Sequence, residues 1–315
     1  GVDGSPVTYK ANPGDRVILA GSEEITGWQE LPEAMARGNP YYENIYYVDL
    51  GYEPLRIDED EVEMEYAREP DEGWWVVGTG SDPTHVVDPV HLTQPDSDYW
   101  VGADLFFVNL QPVQNQSVGV TAYDPGTHTV TVDGSLATSG DSGPQAGTDL
   151  YYMYNKLELM DHPGEMVLED LGGGNYRLYV WPSDGGNANN HLYEGTTETR
   201  HVLSWGTAHH VVIDGFEVRH CAGYGQGLGE RISGGAHHIT VQNCTVRACE
   251  YKGICASGCD NLTVRNCLSF DNGYGVTVGN GTDILIEECD IHSNTVDGIV
   301  ASHGVYDIVV RRCFV

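Results

Sequence analysis

HHITVQNCTVRAC, residues 237–249, followed by DNLTVRNCLSFDN, residues 260–272, decides the fold. Both stretches read as two short strands around a kink, with alternating apolar positions and a cysteine just after an asparagine. The same pattern occurs as HHVVIDGFEVRHC from His209, TDILIEECDIHSN from Thr282 and YDIVVRRCFV from Tyr306. Successive starts are 28, 23, 22 and 24 residues apart. Within the units, Ile239 and Val241, Leu262 and Val264, Ile284 and Ile286, and Ile308 and Val310 are expected to face inward. The kink falls at Gly215, Asn243 and Asn266. The column Phe216, Cys244, Cys267, Cys289 and Cys313 is expected to stack behind it, coil on coil, at ~4.8 Å. A third strand repeats as KGICAS, YGVTVG and DGIVAS, with Gly253, Gly275 and Gly298 in register. Three strands in ~22–24 residues leave no room for a helix, which predicts an all-β right-handed parallel β-helix.

The expected organisation is a first coil in residues 1–31, an inserted β-sandwich or barrel in 32–200, and the β-helix in 201–315. The first coil is read from two strands around the turn Asn12-Pro13-Gly14-Asp15. The insertion is read from the loss of the repeat and from strand-like runs such as NIYYVDL, WWVVG, HTVTVDG and YRLYVWP between Gly/Pro/Asp turns. The last unit stops at Cys313-Phe314-Val315, halfway through a coil. The sequence is therefore expected to be a fragment whose solenoid continues past Val315.

Composition sets limits on function. The net charge is −32 and the lysines are Lys10, Lys156 and Lys252. Such a surface repels phosphate backbones, so no nucleic-acid partner is expected. No apolar run reaches the ~18–20 residues of a membrane span, and no secretory signal opens the chain. The acidity is read as a solvated surface rather than a calcium site, because Asp58–Glu65 lacks cation-loop spacing and its glycine. All eight cysteines fall between Cys221 and Cys313 and follow the repeat. They are read as packing residues rather than a disulfide framework.

Further stretches carry a resemblance. PVTYKANPGDRVILAGSEEITGW, NIYYVDL, AREPDEGWW and NKLELMDHPGEMVLEDLGGGNYRLYVWP resemble the opening of bacterial β-helix glycoside hydrolases. These are the β-xylosidase and fucosidase/xylanase-like families of the pectate-lyase-like superfamily, with a β-sandwich inserted early in the helix. The resemblance spans nearly the whole chain and implies a polysaccharide or oligosaccharide substrate. It also implies catalytic acids several coils beyond the insertion. A secreted, periplasmic or cell-surface monomer is expected.

Active groups on a β-helix come from adjacent rungs along one groove. Aligning Gly253, Gly275 and Gly298 places Lys252, Tyr274 and Asp297 in one column, with Cys255, Thr277 and Val300 facing outward. Arg231 is expected one rung earlier, and Glu250 and Asp271 in the preceding turn. The catalytic candidates are Asp271 with Asp297, or Glu250 with Asp271. Glycosidases need two carboxyls, ~5–5.5 Å apart for retention or ~6.5–9.5 Å for inversion. Against this, Asp before Gly is an ordinary turn residue. The substrate-binding candidates are Arg231, Lys252, Tyr274, Tyr224 and Glu230. The last two sit in or beside the Cys221–Gly229 turn, which reads as five residues longer than its counterparts. A rival reading makes Lys252 the base of a uronate lyase or epimerase, with calcium as cofactor. The plain alternative pairs its ammonium with Glu250. No cofactor is expected for a hydrolase. The pairs His209, His210 and His237, His238 are read as stacked strand ends rather than a metal site. Asp161 and Glu165 are read as holding their turn. A non-catalytic carbohydrate-binding or adhesion solenoid is the third reading.

Overall fold

The computed structural model describes every residue except 3, 111–112, 138–142, 198–200, 224–225, 231–234 and 303. Two compact units emerge. The first takes in Gly1–Ile25, Pro54–Asp58 and Tyr193–Val315, the second Thr26–Glu53 and Glu59–Leu192.

The first unit is the β-helix. Its first sheet orders Val7–Lys10, His209–Asp214, Ala236–Gln242, Cys259–Arg265, Thr282–Glu287 and Tyr306–Arg311. The second sheet has Val17–Ala20, Phe216–Cys221, Thr245–Cys249, Leu268–Phe270 and Asp290–His292. In the third, His201–Leu203, Gln226–Glu230, Lys252–Ser257, Tyr274–Gly279 and Asp297–Ala301 lie side by side. All these pairings are parallel. Residues 7–20 thus supply the first two strands of a coil, joined through the Asn12–Asp15 turn.

The inward alternation holds through the middle coils. Ile239, Val241, Leu262, Val264, Ile284 and Ile286 are at most 2% exposed. In the last coil Ile308 packs on the core while Val310 is exposed. Gly215, Asn243, Asn266, Glu288 and Arg312 all take left-handed backbone at the kink. Asparagine tolerates that conformation because its amide bonds locally. Asn266 Nδ2 donates to Asn243 Oδ1 at 2.7 Å, and Asn243 Nδ2 to Asp214 Oδ1 at 2.6 Å. Cys244, Cys267 and Cys289 are buried behind this ladder, and every cysteine is a free thiol. A second ladder, unmarked by the repeat, joins the second and third sheets. Buried Asn272 accepts from Cys249 N–H at 3.1 Å, and Asn294 accepts from Asn272 N–H at 3.1 Å.

In the second unit, one sheet is built around Leu150–Tyr154, Asp104–Leu110, Val113–Asp124 and Thr129–Val132, another around Tyr46–Leu50, Asn175–Val180 and Glu165–Gly172. The long strands pair antiparallel. Leu105, Phe107, Tyr151 and Met153 of the first sheet share one core with Val167 and Tyr179 of the second. At the entry to Glu165–Gly172, Glu165 accepts from the Asp161 and His162 N–H groups at 2.8 and 3.1 Å and is 1% exposed. Glu165 therefore holds the turn.

Among the described residues no helix is long and apolar enough to cross a membrane.

Candidate functional site

The third sheet of the β-helix is shaped by its in-register glycines. Ile254, Val276 and Ile299 pack on the core, yet the glycine before each is also turned toward the interior. A Cβ on Gly253 would stand 2.8 Å from Ser269 Oγ, one on Gly275 2.4 Å from Ile291 Cγ2, and one on Gly298 2.4 Å from Val315 Cγ1. Gly227 obeys the same restriction, 2.7 Å from Cys249 Sγ. These glycines recur because the strand turns a corner against the second sheet with no space for a side chain.

One residue before each glycine runs a single column. His201 pairs with Gln226, Gln226 with Lys252, Lys252 with Tyr274, and Tyr274 with Asp297. The structure thus brings Lys252, Tyr274 and Asp297 together, with neighbouring rungs ~4.8 Å apart. It adds Gln226 and His201, which the sequence reading missed. Cys255, Thr277 and Val300 form the outward column, although Cys255 and Thr277 are only 2% and 6% exposed. A shallow pocket of about 170 Å³ lies here, lined by Tyr251, Lys252, Cys255, Ser257, Thr277 and Ser302 among others. That is smaller than the ~300–1,000 Å³ of most small-molecule pockets.

The three carboxylates occupy different positions. Asp297 is exposed at the start of its strand. Asp271 is exposed, and its backbone is left-handed, φ 52°, as is that of His220, Ala248 and Ser293 at the same corner of the other coils. It belongs to the end of the second sheet rather than to the Lys252 column. Glu250 accepts the Gly223 N–H at 2.7 Å and so braces the preceding coil. Lys252 does not pair with Glu250. Its Nζ lies 4.8 Å from the Tyr251 ring centroid, and Tyr251 meets Tyr274 edge-on at 5.6 Å. Among the described residues the ammonium is held by an aromatic face, not a carboxylate.

Tyr224 and Arg231 lie outside the described residues, as does the side chain of Glu230, whose backbone pairs with Ala256. The registers also redistribute the extra length of this coil. Five positions separate Cys221 from Gln226, against three from Cys249 to Lys252. Six separate Glu230 from Ala236, against three from Ala256 to Cys259. The insertion is therefore split across both ends of the third strand rather than confined to Cys221–Gly229. The error arose because Gly227 and Gly229 both resemble the repeat glycine.

A second constellation in this unit had no signal in the repeat. Arg219 Nη2 bonds Glu194 Oε2 at 2.7 Å, and Arg56 bonds Asp58 at 2.7 Å. His220, wholly buried, stands 3.7 Å from both Asp58 and Glu194, with Ser22 Oγ 2.9 Å from its Nδ1. Burial pushes the His220 imidazole below its ordinary range despite the two carboxylates. Alongside, Glu217 receives Arg16 at 2.6 Å and Arg247 at 2.9 Å. The charged tips of this group bond mainly to one another, which makes it a structural clamp rather than an open site.

The second unit has its own cleft, of about 580 Å³, lined by Tyr66, Tyr154, Tyr176, Lys156, Glu169 and Asp104 among others. Burial pushes the Asp104 carboxyl up, against a 2.8 Å bond from Asn155 Nδ2. Glu169 is tied to Arg37 and receives Tyr179 OH at 2.8 Å. A perturbed acid beside aromatics is a general mark of a ligand cleft, and no motif in the sequence singled these residues out.

Residues 200–315 match the family described as the right handed beta helix region. No curated protein sequence matches the chain. Among solved structures, one named a glycoside hydrolase aligns with a TM-score of 0.68 at 12% identity, over 94% of this chain and 62% of its own. XylC, solved in complex with xylose, aligns with a TM-score of 0.48 at 12% identity, over 99% of this chain and 55% of its own. The chain thus spans under two thirds of the length of either. Residues 200–315 are a right-handed β-helix region by sequence as well as by structure, and the chain shares the fold of the solved glycoside hydrolase.

Proposed function

We propose that the chain belongs to a secreted or cell-surface carbohydrate-active enzyme, a glycoside hydrolase acting on a plant or algal polysaccharide or its oligosaccharides. The saccharide lies along the outer edge of the third sheet. Asp271, Asp297 and Glu250 are the candidate carboxyl groups. Lys252 and Tyr274, with Tyr224, Glu230 and Arg231, are the candidate binding groups. The observation that carries this reading is the polar column from Lys252 through Tyr274 to Asp297. It repeats at the rung spacing and so offers contacts along an extended chain. Asp271 and Asp297 come from adjacent coils, and inversion would require their carboxyls ~6.5–9.5 Å apart. In that mechanism one carboxylic acid protonates the leaving oxygen while the other carboxylate activates water.

Neutral xylo- and fuco-oligosaccharides and polyuronates are to be screened for products. Release of reducing ends without ultraviolet absorbance from an unsaturated sugar is the expected result. Appearance of that absorbance favours the second reading, a uronate lyase with Lys252 as base. The observation favouring it is that the Lys252 ammonium, among the described residues, has no carboxylate partner and rests on Tyr251. The charge of −32 opposes it, since a polyuronate is itself an anion.

A further inference from the structure

The first sheet opens with an array of imidazoles that the reading above does not use. His210 and His238 take left-handed backbone, φ 52° and 55°, at a coil position shared with Asn261, Asp283 and Asp307. A left-handed residue turns two successive side chains to the same side. Ala236 and Ile239 are therefore buried while His237 and His238 are not. In two adjacent coils both of these positions are histidine.

The rung spacing stacks His209 on His237, with centroids 4.9 Å apart and planes at 8°, and His210 on His238, at 4.5 Å and 28°. Across the columns the rings stand nearly perpendicular: His210 to His237 at 5.3 Å and 89°, His237 to His238 at 5.1 Å and 82°. Nδ1 of His237 and Nδ1 of His238 are 2.9 Å apart. Ring nitrogens of His210, His237 and His238 all lie within 4.8 Å of one another. His210 and His238 border a shallow cleft of about 350 Å³ that also includes Thr240, Asn261 and Asp283. Among the described residues no carboxylate pairs with His237 or His238. The nearest in register, Asp260, accepts the Thr282 N–H at 2.9 Å.

Stacking accounts for the columns, but not for three nitrogens converging from two columns on one point. We propose that His210, His237 and His238 form a binding site for a divalent transition metal ion of borderline softness, of the Zn²⁺, Ni²⁺ or Cu²⁺ kind, with water completing its coordination. Zinc takes imidazole nitrogen at ~2.0–2.1 Å. Small side-chain rotations of these partly exposed rings bring the nitrogens to that radius. The rigid rungs fix where the rings start. Calcium and magnesium prefer oxygen donors and are disfavoured here. The strongly negative chain concentrates cations near any such site. Two other groupings are weaker. Glu59, Asp60 and His191 already bond one another and Ser183. Asp71, Asp161 and His162 are all exposed.

The test is titration of the chelator-stripped chain with Co²⁺, read by its visible absorption, followed by competition with Zn²⁺ and with Ca²⁺. One Co²⁺ per chain is expected, displaced by Zn²⁺ but not by Ca²⁺. The double variant His237→Ala/His238→Ala is expected to bind at least tenfold more weakly, whereas His209→Ala changes binding less than threefold. Absence of saturable binding, or an unchanged affinity in the double variant, overturns the proposal. Should that variant fail to fold, Cu²⁺ line broadening in the nuclear magnetic resonance spectrum of the unaltered chain decides. Broadening centred on residues 209–212 and 237–240 supports the site, and broadening centred on His162 or His191 refutes it.

Discussion

Gly275→Ala is the sharpest test of how the third sheet turns its corner. The added Cβ would stand 2.4 Å from Ile291 Cγ2, 2.6 Å from Gly298 O and 2.9 Å from Asn294 Nδ2. Carbon contacts normally settle at ~3.5–4.0 Å, so something must yield by about 1 Å. Ile291 is 1% exposed, and Gly298 O belongs to the backbone of the next rung. Neither retreats cheaply. Overpacking of this kind costs ~1–3 kcal/mol, and the fixed backbone puts the cost in the upper part, about 2–3 kcal/mol. Restricting the unfolded chain returns ~0.4–1 kcal/mol, which leaves a net loss of about 1–2.5 kcal/mol. All eight cysteines lie in the repeat, so thiol labelling across a urea series reports on the β-helix itself. Its midpoint is expected to fall by that free energy divided by an unchanged slope. Gly51→Ala, where a Cβ meets nothing within 4 Å, should leave the thiol-detected transition where it was. A Gly275→Ala midpoint coinciding with the unaltered protein refutes the corner argument.

Other predictions bear on the ladders and the clamp. Asn266→Ala forces a left-handed Cβ at φ 49° and removes the bond to Asn243. It should cost ~1–3 kcal/mol, and Asn266→Gly distinctly less; equal costs would remove the backbone argument. Without denaturant, Cys313 should react with a thiol reagent first, since it alone is not buried, while Cys259, its thiol pushed up to about 12 by burial, stays protected; rapid labelling of Cys259 would contradict the core assignment. His220 is neutral in the fold because burial depresses its pKa, against Asp58 and Glu194 and alongside Arg219 and Arg56. The unfolded chain then binds the extra proton, so stability rises with pH through the ordinary imidazole range near ~6.5 and is lost below it. Between pH 7.5 and 5.5 (about one unit either side of ~6.5), the urea midpoint should drop more for the unaltered chain than for His220→Asn; equal drops would show that His220 titrates freely.

Much of the β-helix was legible because its physics is periodic. Inward alternation at Ile239 and Val241 is set by the pleat, and the asparagines at 243 and 266 by the left-handed kink. The register of Lys252, Tyr274 and Asp297 followed from the corner glycines. Where the period breaks, reading failed. Extra residues on both sides of Gln226–Glu230 hid Gln226 from its own column, and His201 is separated from it by a different context. The Arg56–Asp58, Glu194 and His220 clamp joins three distant segments, so no spacing could announce it. The Lys252–Glu250 pair was a sequence-neighbour argument. It lost to the Gly223 N–H, which engages Glu250, and to the Tyr251 ring, which holds the lysine.

The central proposal is that Asp271, at the end of the second sheet, and Asp297, at the edge of the third, do chemistry on a saccharide. Its most direct test is turnover of the best substrate from the product screen by Asp271→Asn and Asp297→Asn, each checked for an unchanged unfolding midpoint. Loss of general acid or base action predicts a fall in kcat of ~10²–10⁴ with little change in KM. Full turnover by both variants would contradict the account.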